Sequence, residues 1–262
     1  MYVAEGTYND IAIFRKNDPN SQRVGTLGFT SPVGLFVDRD NLLYAVDQVD
    51  YSVGVFRPGH TTPFFSYNRG LARPLFVIAD SFLVFVGNAN DGTITVFPKG
   101  QSVPIGRLKT PGAEVDGINF GPGNDIYAAY RKSNRAGAGG IVRFPRNGFG
   151  KGVDLGISLT APLGIALDPL GDILVIETEG ANRIDFFEAG KTHALRYAPT
   201  VGIPAGLQIG AGFDHVYAAS TPYPHDGYVV TTPFPIFKPV QRWEDQLRGY
   251  LQGLALTPTA KP

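Results

Sequence analysis

Glu5, Asp47, Asn88 and Glu177 each close a short apolar stretch: YVAE, LYAVD, LVFVGN and ILVIE. Asp116 lies near the start of another, EVDGINF. Carboxylates and amide carbonyls are the oxygen ligands that Ca²⁺ and Mg²⁺ prefer. Convergence of Asp116, Glu5, Asp47 and Asn88 on one face would therefore make a divalent-cation site, with Glu177 beside it. A recurring residue more often does a recurring structural job, so the acids that end a strand are first expected to accept backbone N–H groups of the adjoining turn. Asp116 is the exception: Val33, Leu75, Leu163 and Ala205 stand at the matching place in other stretches. It is thus the strongest single candidate for a site. His60, His193, His215 and His225 are scattered and do not form a zinc-ligand set. Only His225, in a long loop with Tyr223, is placed to reach a shared ligand.

Residues 131–151 hold six basic side chains, Arg131, Lys132, Arg135, Arg143, Arg146 and Lys151, and no acid. This is a candidate contact for a phosphate, an acidic sugar or RNA, although a solvated face is the more economical reading. Lysine plus arginine equals aspartate plus glutamate at 23 each, which disfavours a nucleic-acid partner. Tyr223, Tyr228, Trp243 and Tyr250 gather late in the chain, where packing of the long tail is the first expectation. WEDQLRGYL, within that tail, has the pattern of a helical turn. No Gly-x-Ser-x-Gly elbow, phosphate loop or His-Glu-x-x-His motif is present.

The elements that must position these residues are short and numerous. The chain has 33 glycines, 21 prolines and 30 phenylalanines plus tyrosines, a mixture that favours many short strands. There is no cysteine, which excludes disulfides and thiolate metal sites. No run approaches the roughly 20 apolar residues of a membrane-spanning helix. The abrupt start on strand-like sequence raises the expectation of a removed export leader, hence a periplasmic or extracellular location.

One outline repeats. SPVGLFVDRDNLLYAVDQVDYSVGVFRPG (31–59) matches APLGIALDPLGDILVIETEGANRIDFFEAG (161–190), and looser copies begin near residues 72, 114 and 203. Anchored on the glycine of the first apolar triplet, the positions are Gly34, Phe76, Gly117, Gly164, Gly206 and Gly253. The steps are 42, 41, 47, 42 and 47 residues, and running from Gly253 off the end and on from Met1 to Gly34 takes 43 more. This predicts an all-β, six-bladed β-propeller of four-stranded blades, one domain over 1–262. The ring is closed by pairing N- and C-terminal strands within one blade. Closure removes the exposed end sheets that an open array would have to cap.

The motif Pro-x-Gly-Ile-Ala-Leu-Asp, Gly-Asp-Ile-Leu-Val-Ile-Glu, Asn-Arg-Ile-x-x-Phe at 162–187 resembles the NHL-repeat propellers. It is also similar to the gluconolactonase/senescence-marker group, within a superfamily that includes strictosidine-synthase-like and virginiamycin-lyase-like propellers. Phe76, in place of the glycine, and Tyr130, in place of the acid, depart from it. The resemblance implies architecture more than chemistry. It leaves two readings. The first is a non-catalytic, monomeric binding propeller that recognises a small molecule, glycan or protein at its channel mouth. The second is a metal-dependent hydrolase or lyase of the lactonase kind, using Ca²⁺ or another divalent ion at the oxygen cluster to polarise a carbonyl.

Overall fold

The computed structural model describes residues 1–15, 25–132, 139–146, 151–178, 182–200, 203–209, 215–221, 228–233, 241–243 and 251–256. The strands are short. First come β1 (Tyr2–Glu5), β2 (Asp10–Ile13) and β3 (Gly25–Gly28), then β4 (Pro32–Val37), β5 (Leu43–Asp47), β6 (Ser52–Phe56) and β7 (Phe65–Tyr67). Next are β8 (Pro74–Ala79), β9 (Leu83–Asn88), β10 (Thr93–Pro98) and β11 (Gly106–Lys109), then β12 (Glu114–Phe120), β13 (Ile126–Arg131), β14 (Gly139–Phe144) and β15 (Val153–Asp154). The remainder are β16 (Pro162–Leu167), β17 (Ile173–Glu177), β18 (Arg183–Phe187) and β19 (Arg196–Pro199), then β20 (Ile203–Ile209), β21 (His215–Thr221), β22 (Tyr228–Pro233), β23 (Gln241–Trp243) and β24 (Leu251–Ala255).

These form four-stranded antiparallel sheets, the blades of a β-propeller. Five are consecutive runs, β4–β7, β8–β11, β12–β15, β16–β19 and β20–β23, and a further sheet has the order β24-β1-β2-β3. In that sheet Tyr2 faces Ala255, Val3 faces Leu254 and Ala4 faces Gly253. The core lies between sheets. Val46, Val53 and Val55 of one sheet pack with Val77, Val84 and Phe97 of the next. Ile94 and Val96 pack in turn with Val115, Ala128 and Phe144. Met1, Val3, Ala12 and Leu254 share a cluster with Tyr217, Ala219 and Val229. On their other side, Ala4, Ile11 and Ala255 pack with Leu35, Leu43 and Ala45. Sheets covered on both faces need continuous apolar strands rather than alternating ones. LYAVD and ILVIE, buried at every position, are of that kind.

The first strand of each sheet is innermost and carries a β-bulge. Register slips between Pro32 and Leu35, Pro74 and Phe76, Val115 and Gly117, Pro162 and Ile165, and Pro204 and Gly206. The closing sheet slips at Ala4/Glu5, opposite Leu251 and Gly253. A bulge leaves a residue unpaired and re-aims its side chain. At Gly34 and Gly117 the glycine after the unpaired residue has a steric reason. A Cβ on Gly34 would stand 2.2 Å from the Leu75 carbonyl oxygen and 2.8 Å from the Phe76 Cα. One on Gly117 would stand 2.8 Å from the Gly164 Cα. The anchors of neighbouring sheets thus abut, and bare backbone lets the innermost strands approach.

On the face opposite the bulges, an aspartate tightens the turn between first and second strands. Asp38 Oδ1 accepts from the backbone N–H groups of Asp40 and Leu42, and Asp168 Oδ1 accepts from those of Leu170 and Asp172. Lys99 spans from the next sheet to Asp38 and Asp40 at 2.7 Å each. The basic run 131–151 is less one-sided than its sequence. Arg143 pairs with Asp125 at 2.6 Å and Arg146 with Asp80 at 2.5 Å. Arg131 meets Glu114 at 2.6 Å and Asp116 at 2.8 Å. The acids come from neighbouring strands and turns, so the local charge excess is largely a feature of the linear chain. Lys132 and Lys151 are exposed, and Arg135 lies outside the described residues.

Candidate functional site

The bulges, the loops entering the innermost strands and the loops leaving the second strands share one face of the propeller. Asp47, Asn88 and Glu177 end β5, β9 and β17 there, and each is buried. Their oxygens are engaged by backbone. Asp47 accepts from the N–H groups of Thr30 (2.9 Å), Ser31 (3.3 Å), Val49 (3.1 Å) and Asp50 (3.2 Å). Glu177 accepts from Thr160 and Ala161 at 3.0 Å each. Asn88 Oδ1 accepts from Ala72 N–H at 3.0 Å, while its amide donates to Thr93 and Thr95. Each side chain therefore staples the loop entering its own sheet to the hairpin leaving it. Burial pushes the Glu177 carboxyl above its ordinary value against the opposing pull of the Ala161 and Thr160 N–H groups.

Tyr130 occupies the acid's place in the β12–β15 sheet, fully buried, and its hydroxyl donates to the Asp154 carboxylate. Glu5 is buried at the end of β1. Asp116 is the unpaired bulge residue of β12, between Val115 and Gly117. It is fully buried and held in a two-pronged pair by Arg131, with Nε and one terminal nitrogen each donating at 2.8 Å. Burial raises the Asp116 carboxyl above its usual value, although Arg131 pulls the other way. Glu5, Asp47, Asp116 and Glu177 are thus spread among separate sheets. Among the described residues, no three carboxylate or imidazole groups gather within reach of one metal ion. Tyr223 and His225 lie outside the described residues, as does most of the WEDQLRGYL segment.

A cavity at the channel is lined mainly by apolar side chains together with Gln208 and glycine backbone. Phe36, Phe76, Ile118, Ile165, Leu207 and Leu254, from six innermost strands, line it. The mouth carries the chemistry, and there the sequence missed the exposed contributors. Val49 (62% exposed), Tyr51 (44%) and Tyr8 (52%) project from second-to-third-strand hairpins, and Arg73 is exposed on the loop entering β8. For two of them the distinguishing signal is conformational. Tyr51 has φ +48° and Arg73 has φ +55°.

No protein-family model matches the chain, and no curated protein matches it by sequence. A solved structure described as the crystal structure of a nidogen/laminin complex is similar in fold. It aligns with a TM-score of 0.75 at 16% identity, over 97% of this chain and 96% of that one. At that identity the likeness establishes a β-propeller and leaves the NHL and gluconolactonase resemblance resting on the 162–187 motif alone. Among the described residues no helix is long and apolar enough to cross a membrane.

Proposed function

We propose that the chain is a non-catalytic interaction propeller that holds a protein partner on its channel-mouth face. One observation carries this reading. The conspicuous polar groups of the mouth, Asp47, Asn88, Glu177 and the Asp116–Arg131 pair, are engaged in fastening loops and strands to one another. Such stapling makes a preorganised platform, and preorganisation lowers the ordering cost of association. The exposed residues above it, Tyr8, Val49, Tyr51 and Arg73, include the aromatic and arginine types that dominate protein-binding hot spots. The similar fold in a structure whose description names a protein–protein complex is consistent with this use.

The chain has no cysteine, so a single thiol can be placed at will. Val49→Cys puts one on the mouth face. Phe82→Cys puts one in the turn between β8 and β9 on the opposite face, where Phe82 is 73% exposed. Peptides selected against the whole chain from a displayed random library should lose binding when polyethylene glycol is attached at residue 49 and keep it when attached at residue 82. Binding that survives coverage of the mouth would refute the reading.

A further inference from the structure

Six non-glycine residues among those described have positive φ: Asn9, Asn41, Tyr51, Arg73, Asn124 and Asn182. Four are asparagine, the residue type that tolerates the left-handed region because its short side chain bonds locally. Tyr51 and Arg73 are the two exceptions. Both lie on the channel-mouth face, on adjacent sheets.

The repeat shows what each position would otherwise hold. In the hairpins between second and third strands, the last loop residue is Asn9, Tyr51, Gly92 or Asn182, each left-handed. Tyrosine thus stands where the same turn elsewhere uses asparagine or glycine, and it gains no enclosure, being 44% exposed. Arg73 precedes Pro74, a context that favours extended backbone. Its carbonyl accepts from Ala89 N–H at 2.9 Å, which locks the strained loop to the neighbouring hairpin. Its guanidinium makes no hydrogen bond or ion pair with any described residue, while its charge acts on Asp116 below. Leu71, two residues earlier, packs into the core cluster containing Val46 and Val53 of the Tyr51 sheet, so the two positions border one junction. The turn and the Ala89 bond account for the backbone conformation but not for the choice of an exposed tyrosine and an exposed arginine to adopt it, and strained residues of this kind concentrate at functional sites.

The charge around this junction is complementary to an acid. Arg69, Arg73, Arg107, Lys109 and Lys132 are exposed here. Of the nearby acids, Asp91 pairs with Arg107, Glu114 and Asp116 are buried against Arg131, Asp47 is buried among backbone N–H groups, and Asp50, exposed beside Tyr51, accepts from the Thr30 hydroxyl at 2.9 Å. The exposed side chains of the sector are mainly cationic, with Asp50 the exposed acid among them, on a chain that is neutral as a whole. Tyr51 and the 62% exposed Val49 supply apolar contact at its edge.

We propose that Tyr51 and Arg73 are the two anchor residues of a protein-docking surface that takes a partner segment carrying a carboxylate beside an apolar side chain. Arg73 offers the planar, two-pronged donor set suited to a carboxylate, and Tyr51 offers a rigid amphipathic ring. The proposal rests on the interaction reading above and names the partner's chemistry.

The test uses the whole chain and a displayed library of short random peptides. Selected peptides should pair Asp or Glu with an aromatic or aliphatic residue. Their affinity should weaken about 30-fold or more in Tyr51→Asn and in Arg73→Gly, the hot-spot range. Both variants should melt at or above the wild-type temperature, because the replacements suit a left-handed backbone. Three results would overturn the proposal: acidic peptides that bind both variants as tightly as wild type; variants that both melt several degrees lower; or no acidic peptide selected, including the case where heparin or poly(U) RNA is retained through Arg73 instead. The interaction reading fails separately, if selected peptides of any kind still bind when residue 49 carries polyethylene glycol.

Discussion

Replacing Gly34 with alanine adds one methyl group at the tightest place between two sheets. Its Cβ would lie 2.2 Å from the Leu75 carbonyl oxygen, 3.0 Å from the Leu75 carbonyl carbon and 2.8 Å from the Phe76 Cα. All three obstacles are backbone of an innermost strand, so no rotamer change can relieve the overlap. A carbon–oxygen contact normally sits more than 1 Å further out, as the general 3.5–4.0 Å optimum for heavy atoms implies. The β4 and β8 strands must separate by about that much, and in a ring the displacement reaches the neighbouring junctions. Overpacking a tight core costs about 1–3 kcal/mol, and an obstacle made of backbone argues for the upper end. For a chain of this size 1 kcal/mol moves Tm by about 2–4 °C, so Gly34→Ala should lower Tm by about 6–12 °C in scanning calorimetry. Gly28→Ala is the control, because an added Cβ there meets nothing within 4 Å. It should leave Tm unchanged or slightly raised, since alanine restricts the unfolded chain. A Gly34→Ala Tm within 1 °C of the parent, at roughly the precision of the measurement, would refute the idea that the anchor glycines set strand spacing.

Further outcomes follow from the polar staples. Asp47→Ala removes the acceptor of four backbone N–H groups and should cost about 3 kcal/mol in urea unfolding, while Asp47→Asn, which keeps one carbonyl, should cost less. Lys99→Met takes the cation from Asp38, whose side chain is 2% exposed and keeps only the Asp40 and Leu42 N–H groups and the Tyr44 hydroxyl as donors, and should destabilise by about 2 kcal/mol near neutral pH. Burial lowers the Lys99 ammonium, but the Asp38 and Asp40 hydrogen bonds outweigh it and hold the group above its ordinary 10.5. A raised cationic group stabilises the fold below its unfolded value and loses that effect as pH rises through the folded one. The gap between wild type and Lys99→Met should therefore persist at neutral pH and close in strongly alkaline solution; a gap that ignores pH would sink this account of the bridge. Millimolar Ca²⁺ or Zn²⁺ should leave Tm unmoved, because saturation at a hundred times Kd would add about 2.7 kcal/mol to a chain with a real site. A clear rise that disappears in Asp116→Asn would restore the lactonase-like reading.

Much of this architecture can be read from the linear chain. The internal period, the apolar triplets and the terminal acids are local features, and a repeated unit writes the same local constraints several times. The positions chosen as anchors, Gly34 to Gly253, fall in innermost strands, and Asp47, Asn88 and Glu177 end second strands. For Asp47 and Glu177 the use of backbone N–H groups was also foreseeable, since an acid recurring in several units serves the turn. What the sequence could not separate was a charge from its neutralising partner. Arg131, Arg143 and Arg146 look like an exposed basic run, yet Asp116, Asp125 and Asp80 reach them from elsewhere in the fold. Asp116 looked available because it broke the pattern, while burial under Arg131 depends on register between two strands. Tyr51 and Arg73 are unremarked in the sequence because backbone sign is not written in residue type. Periodicity of apolar residues determined the kind of sheet this protein forms. Only the tertiary structure decided which polar groups are occupied and which stand free, because that depends on distances between residues the repeat brings together from far along the chain.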